Sequence, residues 1–208
     1  MKTLRSCLAL AVAFMSYSFT ATAQDAPAAY GSCVACHGAA GEGNVALNSP
    51  ALAGQQSAYI ERQLQHFKSG LRGADPKDTL GAQMRGMAAT LSDDDITAIA
   101  SYLSALALPP VKAPASGDLK NGNNYYQANC GACHGGKAEG NAALNSPALA
   151  SLDTDYLQRQ YKNFQSGARG SSADDRYGRQ MAMMANSLPS EQDLADVIAF
   201  IHSLATGK

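Results

Sequence analysis

The chain has 208 residues, of which only 16% are charged and 46% are hydrophobic, and its formal net charge is −1. This length allows one large domain or two small ones. A net negative charge argues against nucleic acid as a partner, because binding to phosphates requires a basic surface.

The first 23 residues have the organisation of a secretory signal peptide. Lys2 and Arg5 precede an apolar run from Cys7 to Met15, and Ala21-Thr22-Ala23 has the small-residue pattern of a cleavage site. The run is short for a membrane span, so we expect cleavage after Ala23 and export to the periplasm, with an uncleaved anchor as the alternative. Cleavage would leave 14 basic residues against 17 acidic ones, a formal charge of −3.

A C-x-x-C-H motif occurs twice, which is the attachment pattern of c-type haem. Two thiols at this spacing can form thioethers to one porphyrin edge, and the adjacent histidine can bind the iron. With Cys7 in the signal peptide, all five cysteines are accounted for and none remains for a structural disulfide. A zinc or thiol-redox site is disfavoured because histidine follows both motifs directly. The motif residues are Cys33, Cys36 and His37, then Cys130, Cys133 and His134.

The two halves of the chain repeat at an offset of 97, which becomes 98 where Pro189 is inserted. Both copies contain the run ALNSPAL, at residues 46–52 and 143–149. Between them, residues 108–117 are rich in proline and resemble a semi-rigid linker. We therefore expect a domain at 24–107, a linker at 108–117 and a second domain at 118–208.

Each repeat is predicted to be all-α, since no convincing strand alternation occurs. In the first repeat, Ser57 can cap a helix that has Ile60, Leu64 and Phe67 on one face and ends at Gly70. The final helices begin with the capping-box patterns Ser92-x-x-Asp95 and Ser190-x-x-Asp193.

The repeat also limits which residues could be the sixth ligand of each iron. Met84 and Met87 recur as Met181 and Met184, just before the final helices, whereas Met183 has no counterpart. His66 and His202 fall on asparagine and serine in the other repeat, and we expect both on exposed helix faces. These residues alone leave the choice between the two methionine pairs open.

With these motifs, the chain resembles a class I cytochrome c, and as a pair of repeats it resembles the dihaem cytochrome c-four family. The resemblance implies that each domain wraps around a covalently bound haem and that the ligating methionine lies seven positions before the leucine preceding the last helix. It thereby selects Met84 and Met181, with Met87 and Met184 as packing neighbours.

The resemblance assigns a role to a proline after each haem motif, and side-chain chemistry suggests roles for other residues. Pro50 and Pro147 would accept a hydrogen bond from the proximal histidine and orient its ring. Arg72 and Arg169 would either pair with haem propionates or lie in solvated loops. Tyr59 and Tyr156 are expected mainly as core aromatics. The helix before the haem motif, which Gly122 and Tyr126 mark in the second repeat, is expected to be truncated in the first.

Histidine–methionine ligation closes both axial positions of the iron, which favours electron transfer over oxygen or peroxide chemistry. The resemblance implies a periplasmic dihaem carrier between a quinol-oxidising complex or a dehydrogenase and a terminal oxidase. Its alternative is a dihaem subunit of a larger enzyme such as a flavin-dependent sulfide dehydrogenase. A dihaem peroxidase is disfavoured by the paired methionines. No membrane span is expected after cleavage, although peripheral membrane association remains open.

Overall fold

A computed structural model describes residues 25–206, and the predicted signal peptide lies outside them. These residues form nine α-helices, three short 3-10 helices and two isolated β-bridges, which confirms the all-α prediction. The α-helices are α1 (Val34–His37), α2 (Ser57–Ser69), α3 (Thr79–Ala88), α4 (Asp93–Ala105), α5 (Leu119–Asn129), α6 (Gly131–His134), α7 (Thr154–Gln165), α8 (Arg176–Met184) and α9 (Glu191–Thr206). The 3-10 helices are Ala28–Ser32, Val45–Leu47 and Ala142–Leu144.

The helices form two lobes, each with its own hydrophobic core. Lobe 1 (residues 25–107) contains α1–α4, and α2 packs against both α3 and α4. Lobe 2 (residues 118–206) contains α5–α9, and α9 packs against α5 and α7. The last helix of each lobe contributes several buried apolar side chains to its core, among them Ile96, Ile99 and Leu103 in lobe 1 and Val197, Ile198 and Ile201 in lobe 2.

The starts of the final helices agree with the sequence pattern. The hydroxyl of Ser92 accepts from the Asp95 backbone N–H, and the Asp95 carboxylate accepts in return from the Ser92 backbone N–H. Ser190 accepts from the Asp193 N–H in the same way. Helix α2 differs from the prediction, because its N-cap is Gln56 and the Ser57 hydroxyl donates instead to Glu61.

The lobes differ at the segment that precedes the haem motif, as the sequence predicted. Lobe 2 has the eleven-residue helix α5, whereas the described part of lobe 1 has only the five-residue 3-10 helix Ala28–Ser32. Tyr30 nevertheless occupies the place of Tyr126. Each ring is fully buried, and each hydroxyl donates to a backbone carbonyl just after the motif, Gly38 or Gly135.

Residues 108–117 form no helix and are attached to lobe 2 by hydrogen bonds. The Ala113 carbonyl accepts from Thr154 Oγ1, and the Ala115 N–H donates to His202 Nδ1 at 2.9 Å. Lys112 Nζ reaches back to the Gly43 carbonyl in lobe 1. The segment therefore contacts both lobes. Within residues 25–206, no helix has both the length and the apolar character that a membrane crossing needs.

Candidate functional site

In lobe 1, the short helix α1 carries the C-x-x-C-H motif and directs the predicted proximal ligand inward. His37 is 5% exposed, and its Nδ1 lies 2.9 Å from the Pro50 carbonyl oxygen. Because a carbonyl only accepts, Nδ1 carries the proton and Nε2 keeps a free lone pair. Burial lowers the pKa of His37, only partly opposed by the Pro50 contact, so the imidazole is neutral. A neutral ring held from behind is the form that binds a metal ion.

Lobe 2 repeats this geometry with its own motif. His134 is 6% exposed, and its Nδ1 lies 2.9 Å from the Pro147 carbonyl oxygen. Burial lowers the pKa of His134 as well. Cys130 and Cys133 form no disulfide within residues 25–206, and burial raises the pKa of the Cys130 thiol to about 11. Both proline contacts expected from the resemblance are therefore present.

A cavity of about 470 Å³ opens beside His37, and its walls are mainly apolar. Cys33 and Cys36 line this cavity together with the histidine and form no disulfide in the part of the chain that the structure describes. Ile60, Phe67 and Leu103 contribute apolar surface. Lobe 2 completes the lining with Leu152, Tyr156, Arg159 and Gln160. The cavity combines an apolar interior, two thiols and a neutral imidazole, which is what a covalently attached haem requires.

The predicted methionines lie on the helix that precedes the last helix of each lobe. Met84 and Met87 both line the cavity, but Met84 is half-buried whereas 43% of Met87 is exposed. In lobe 2, Met181 is half-buried and Met184 is exposed, as is Met183. Asp78 and Asp175 cap the two helices through the backbone N–H groups of Gly81 and Gly178. Burial thus distinguishes the same methionine in each lobe.

Arg72 and Arg169 lie buried between the lobes, which excludes the alternative of solvated loops. Arg72 donates to Gln63 of its own lobe at 2.8 Å and to Gln160 of lobe 2 at 3.0 Å. Arg169 donates to Gln160 at 2.7 Å and to Gln63 at 2.8 Å. We call these four residues the interface network. Each guanidinium also bonds a tyrosine hydroxyl of the opposite lobe, Tyr156 or Tyr59.

The arginines of the interface network are not paired directly with carboxylates of the described residues. Among residues 25–206, no carboxylate forms an ion pair with either arginine. The Nε atoms of Arg62, Arg72 and Arg159 are buried without a hydrogen-bond partner. Burial raises the pKa of the Tyr59 hydroxyl, but the guanidiniums of Arg169 and Arg72 outweigh this and the net pKa is lowered. Buried unpaired donors beside the cavity fit an anionic group such as a haem propionate.

The two remaining histidines are not on exposed helix faces, contrary to the prediction. His202 is 2% exposed, and its Nε2 lies 2.9 Å from the Leu152 carbonyl. His66 Nδ1 lies 3.8 Å from Asp175 of the other lobe, with 14% of its side chain exposed. Both contact residues at least 50 positions away in the chain, which a single-helix pattern cannot reveal. Neither lines the cavity.

Sequence reasoning assigned no role to Gln63 and Gln160. Each is a glutamine repeated at an equivalent position, one residue after an arginine on a helix that has an apolar face. That pattern is the signal that could have located the contact between the lobes. The interface network also explains why a glutamine occupies this position in both halves of the chain.

Comparison with known proteins agrees with this geometry. The family model described as Cytochrome c matches the chain twice, at residues 23–107 and 119–205. The chain is 40% identical to cytochrome c4 of Thiocapsa roseopersicina, over 85% of this chain and 89% of that protein. It is 36% identical to a thiosulfate dehydrogenase electron acceptor of Thiomonas intermedia, over 69% of this chain and 67% of that protein.

The fold is similar to a solved structure as well. The crystal structure of reduced recombinant cytochrome c4 from Pseudomonas stutzeri superposes with a TM-score of 0.69 at 31% sequence identity. The match covers 85% of this chain and 97% of that structure. Both lobes and their relative order are therefore common to the two proteins.

Proposed function

The chain belongs to the cytochrome c family, with one unit of that family in each lobe, and we propose that it is a periplasmic one-electron carrier rather than an enzyme. The two C-x-x-C-H motifs fit two covalently bound haem c groups. When bound, each haem supplies an iron that accepts and returns one electron. The protein supplies the ligands, an apolar cavity and the surfaces that meet redox partners.

His37 and Met84 are the proposed axial ligands in lobe 1, and His134 and Met181 those in lobe 2. In lobe 1, the observation that carries this assignment is a neutral, buried imidazole on the same cavity as a half-buried methionine, and His134 and Met181 have matching burial in lobe 2. The Pro50 carbonyl accepts a hydrogen bond from His37 Nδ1, which would leave the Nε2 lone pair for the metal. Thioether sulfur favours the ferrous state and a relatively high potential. An iron closed on both sides has no position for a substrate.

Arg72 and Arg169 are proposed to neutralise haem propionates at the contact between the lobes. The Arg72 side chain lines the cavity and keeps its buried Nε free for an acceptor. Arginine suits carboxylates because its donors form a planar fork. The interface network then connects the two haem sites through hydrogen bonds, which provides a route for electrostatic coupling between them.

The donor is proposed to be a quinol-oxidising complex or a dehydrogenase and the acceptor a terminal oxidase. A dehydrogenase donor is supported by the relative named as an electron acceptor of thiosulfate dehydrogenase. The same likeness supports the second candidate, in which the chain is the dihaem subunit of a larger dehydrogenase such as a flavocytochrome sulfide dehydrogenase. Purification from the native host distinguishes the two, because only a subunit is recovered in a fixed ratio with a catalytic chain.

Carbon monoxide binding tests the carrier function. It ligates ferrous haem only where an axial position is open or its ligand is weakly held. The reduced holoprotein is expected to show the same visible spectrum with and without carbon monoxide, at neutral pH. An adduct at one or both haems would contradict the carrier function and indicate an open site for catalysis or sensing.

A further inference from the structure

The repeat is broken at two positions that lie beside the haem sites. Gln55 and Gln56 of lobe 1 correspond to Leu152 and Asp153 of lobe 2. Both glutamines bond across the interface to the loop of lobe 2 that holds the proximal histidine. A leucine at the equivalent place in lobe 2 cannot return such a bond to lobe 1. The contact is therefore one-sided, although the two lobes share the helices that follow the haem motif.

Gln55 binds one backbone residue through both ends of its side-chain amide. Its Nε2 donates to the Ala148 carbonyl at 2.6 Å, and its Oε1 accepts from the Ala148 N–H at 3.1 Å. The side chain is 3% exposed, so water does not compete for these bonds. Gln56 donates to the Ser146 carbonyl at 3.1 Å, two residues earlier. The Gln55 amide thus bonds both backbone groups of Ala148, as a residue of a paired strand would, and fixes the loop.

The Ala148 N–H and the Pro147 carbonyl belong to the same peptide group. That carbonyl accepts from His134 Nδ1 at 2.9 Å. A bond from Gln55 to the N–H end polarises the peptide and makes its carbonyl oxygen a stronger acceptor. A stronger acceptor draws the Nδ1 proton and makes Nε2 of His134 a better electron donor to a metal. The glutamine oxygen, the peptide and the imidazole form one chain of hydrogen bonds.

We propose that Gln55 is a positioning residue for His134, through which lobe 1 lowers the reduction potential of the haem in lobe 2. The proposal rests on the proposed function, since it takes His134 as the proximal ligand. A more basic imidazole stabilises the ferric state relative to the ferrous state, which lowers the potential. The haem site of lobe 1 has no equivalent contact. Leu152 offers no acceptor, and the Ala51 N–H has no protein acceptor within residues 25–206.

The test is Gln55→Leu in the dihaem holoprotein, which introduces the side chain that the repeat itself places at the equivalent site. Spectroelectrochemical titration is expected to show one potential raised and the other shifted less, because Gln55 also lines the cavity of lobe 1. The His134 Nδ1–H resonance of the reduced protein is expected to move toward that of a weaker hydrogen bond, while that of His37 stays. Gln55→Met, which keeps nearly the same length, is expected to give the same shift.

Gln56→Ala is the matched control, because it removes an interface bond to the same loop without touching the Pro147–Ala148 peptide. A smaller shift than in Gln55→Leu supports the proposal. Equal shifts in both variants, equal shifts of both potentials, or no shift with an unmoved His134 Nδ1–H resonance would overturn it. Carbon monoxide binding by the unsubstituted protein would contradict the proposed function instead, so the two failures are distinguishable.

Discussion

Arg169 of lobe 2 donates to the side-chain oxygen of Gln63 in lobe 1 at 2.8 Å, in the middle of the contact between the lobes. The reciprocal bond joins Arg72 to Gln160. Two arginines that share two neutral acceptors hold the lobes together, and neither forms an ion pair with a carboxylate of residues 25–206. Their arrangement links stability, lobe orientation and the proposed anion binding in one set of residues.

Arg72→Gln is expected to lower the free energy of unfolding of the holoprotein by about 2 kcal/mol, because buried hydrogen bonds to charged groups are worth about 1.5–3 kcal/mol. It should also change the difference between the two reduction potentials. Denaturant unfolding and a redox titration measure the two effects. Arg85→Gln, at an exposed position of α3, is the control and should leave both unchanged. Equal stability of the two variants would contradict a role for the interface network.

Gly122→Ala is expected to destabilise lobe 2, because helices α5 and α9 approach closely at this position. An added Cβ would lie 2.1 Å from the Asp196 carbonyl oxygen, so the backbones must separate. Overpacking of this kind costs about 1–3 kcal/mol. Gly136→Ala is the matched control, since a Cβ there has nothing within 4 Å. Thermal unfolding of both variants checks the prediction, and similar melting temperatures would refute it.

The holoprotein is expected to lose stability as the pH falls below about 6.5. Burial lowers the pKa of His202 in the folded state, while the Leu152 carbonyl partly opposes this. The unfolded chain then binds the proton more readily, so the stabilisation is complete above pH 6.5 and declines below it. The slope approaches about 1.4 kcal/mol per pH unit for each such histidine.

His202→Gln is expected to reduce this slope, because glutamine does not titrate but can still donate and accept. Burial also lowers the pKa of His66, so His66→Asn should remove the contribution of His66 to the pH dependence of the free energy of unfolding. Unfolding by denaturant between pH 5 and pH 7.5 measures the contribution of each histidine. An unchanged slope in His202→Gln would show that protonation at this site is not coupled to unfolding.

Met84→Leu is expected to open the iron of lobe 1, with carbon monoxide binding at one haem and a large drop in one potential, since thioether ligation raises the potential. Met87→Leu, on the same helix three residues later, should leave ligation unchanged. Spectra of the reduced variants with carbon monoxide distinguish them. The opposite pattern, with an adduct only in Met87→Leu, would reassign the ligand.

Much of the fold is readable from the chain because its features are local. The haem motifs, the capping boxes and the apolar face of α2 each depend on residues a few positions apart. Tyr30 shows the limit of this local pattern. It lies three residues before Cys33, whereas Tyr126 lies four before Cys130, yet both hydroxyls reach equivalent carbonyls because a 3-10 helix replaces an α-helix.

The contact between the lobes could not be predicted from the chain. Arg72, His66 and Gln55 all have partners about 90 or more residues away, and nothing in the surrounding helix pattern identifies them. Polar residues on a helix are expected to face solvent unless a second surface supplies hydrogen-bond partners. Here the second surface is the other repeat. The break in the repeat at Gln55 was visible, but its meaning needed the position of Ala148.

The central claim is that both irons are closed by one histidine and one methionine. The near-infrared spectrum of the oxidised holoprotein tests it most directly, because ferric haem with a methionine sulfur ligand has a sulfur–iron charge-transfer band. The band should have the intensity of two such haems and fall to half in Met84→Leu and in Met181→Leu. A band for one haem only, or none, would contradict the proposed ligation.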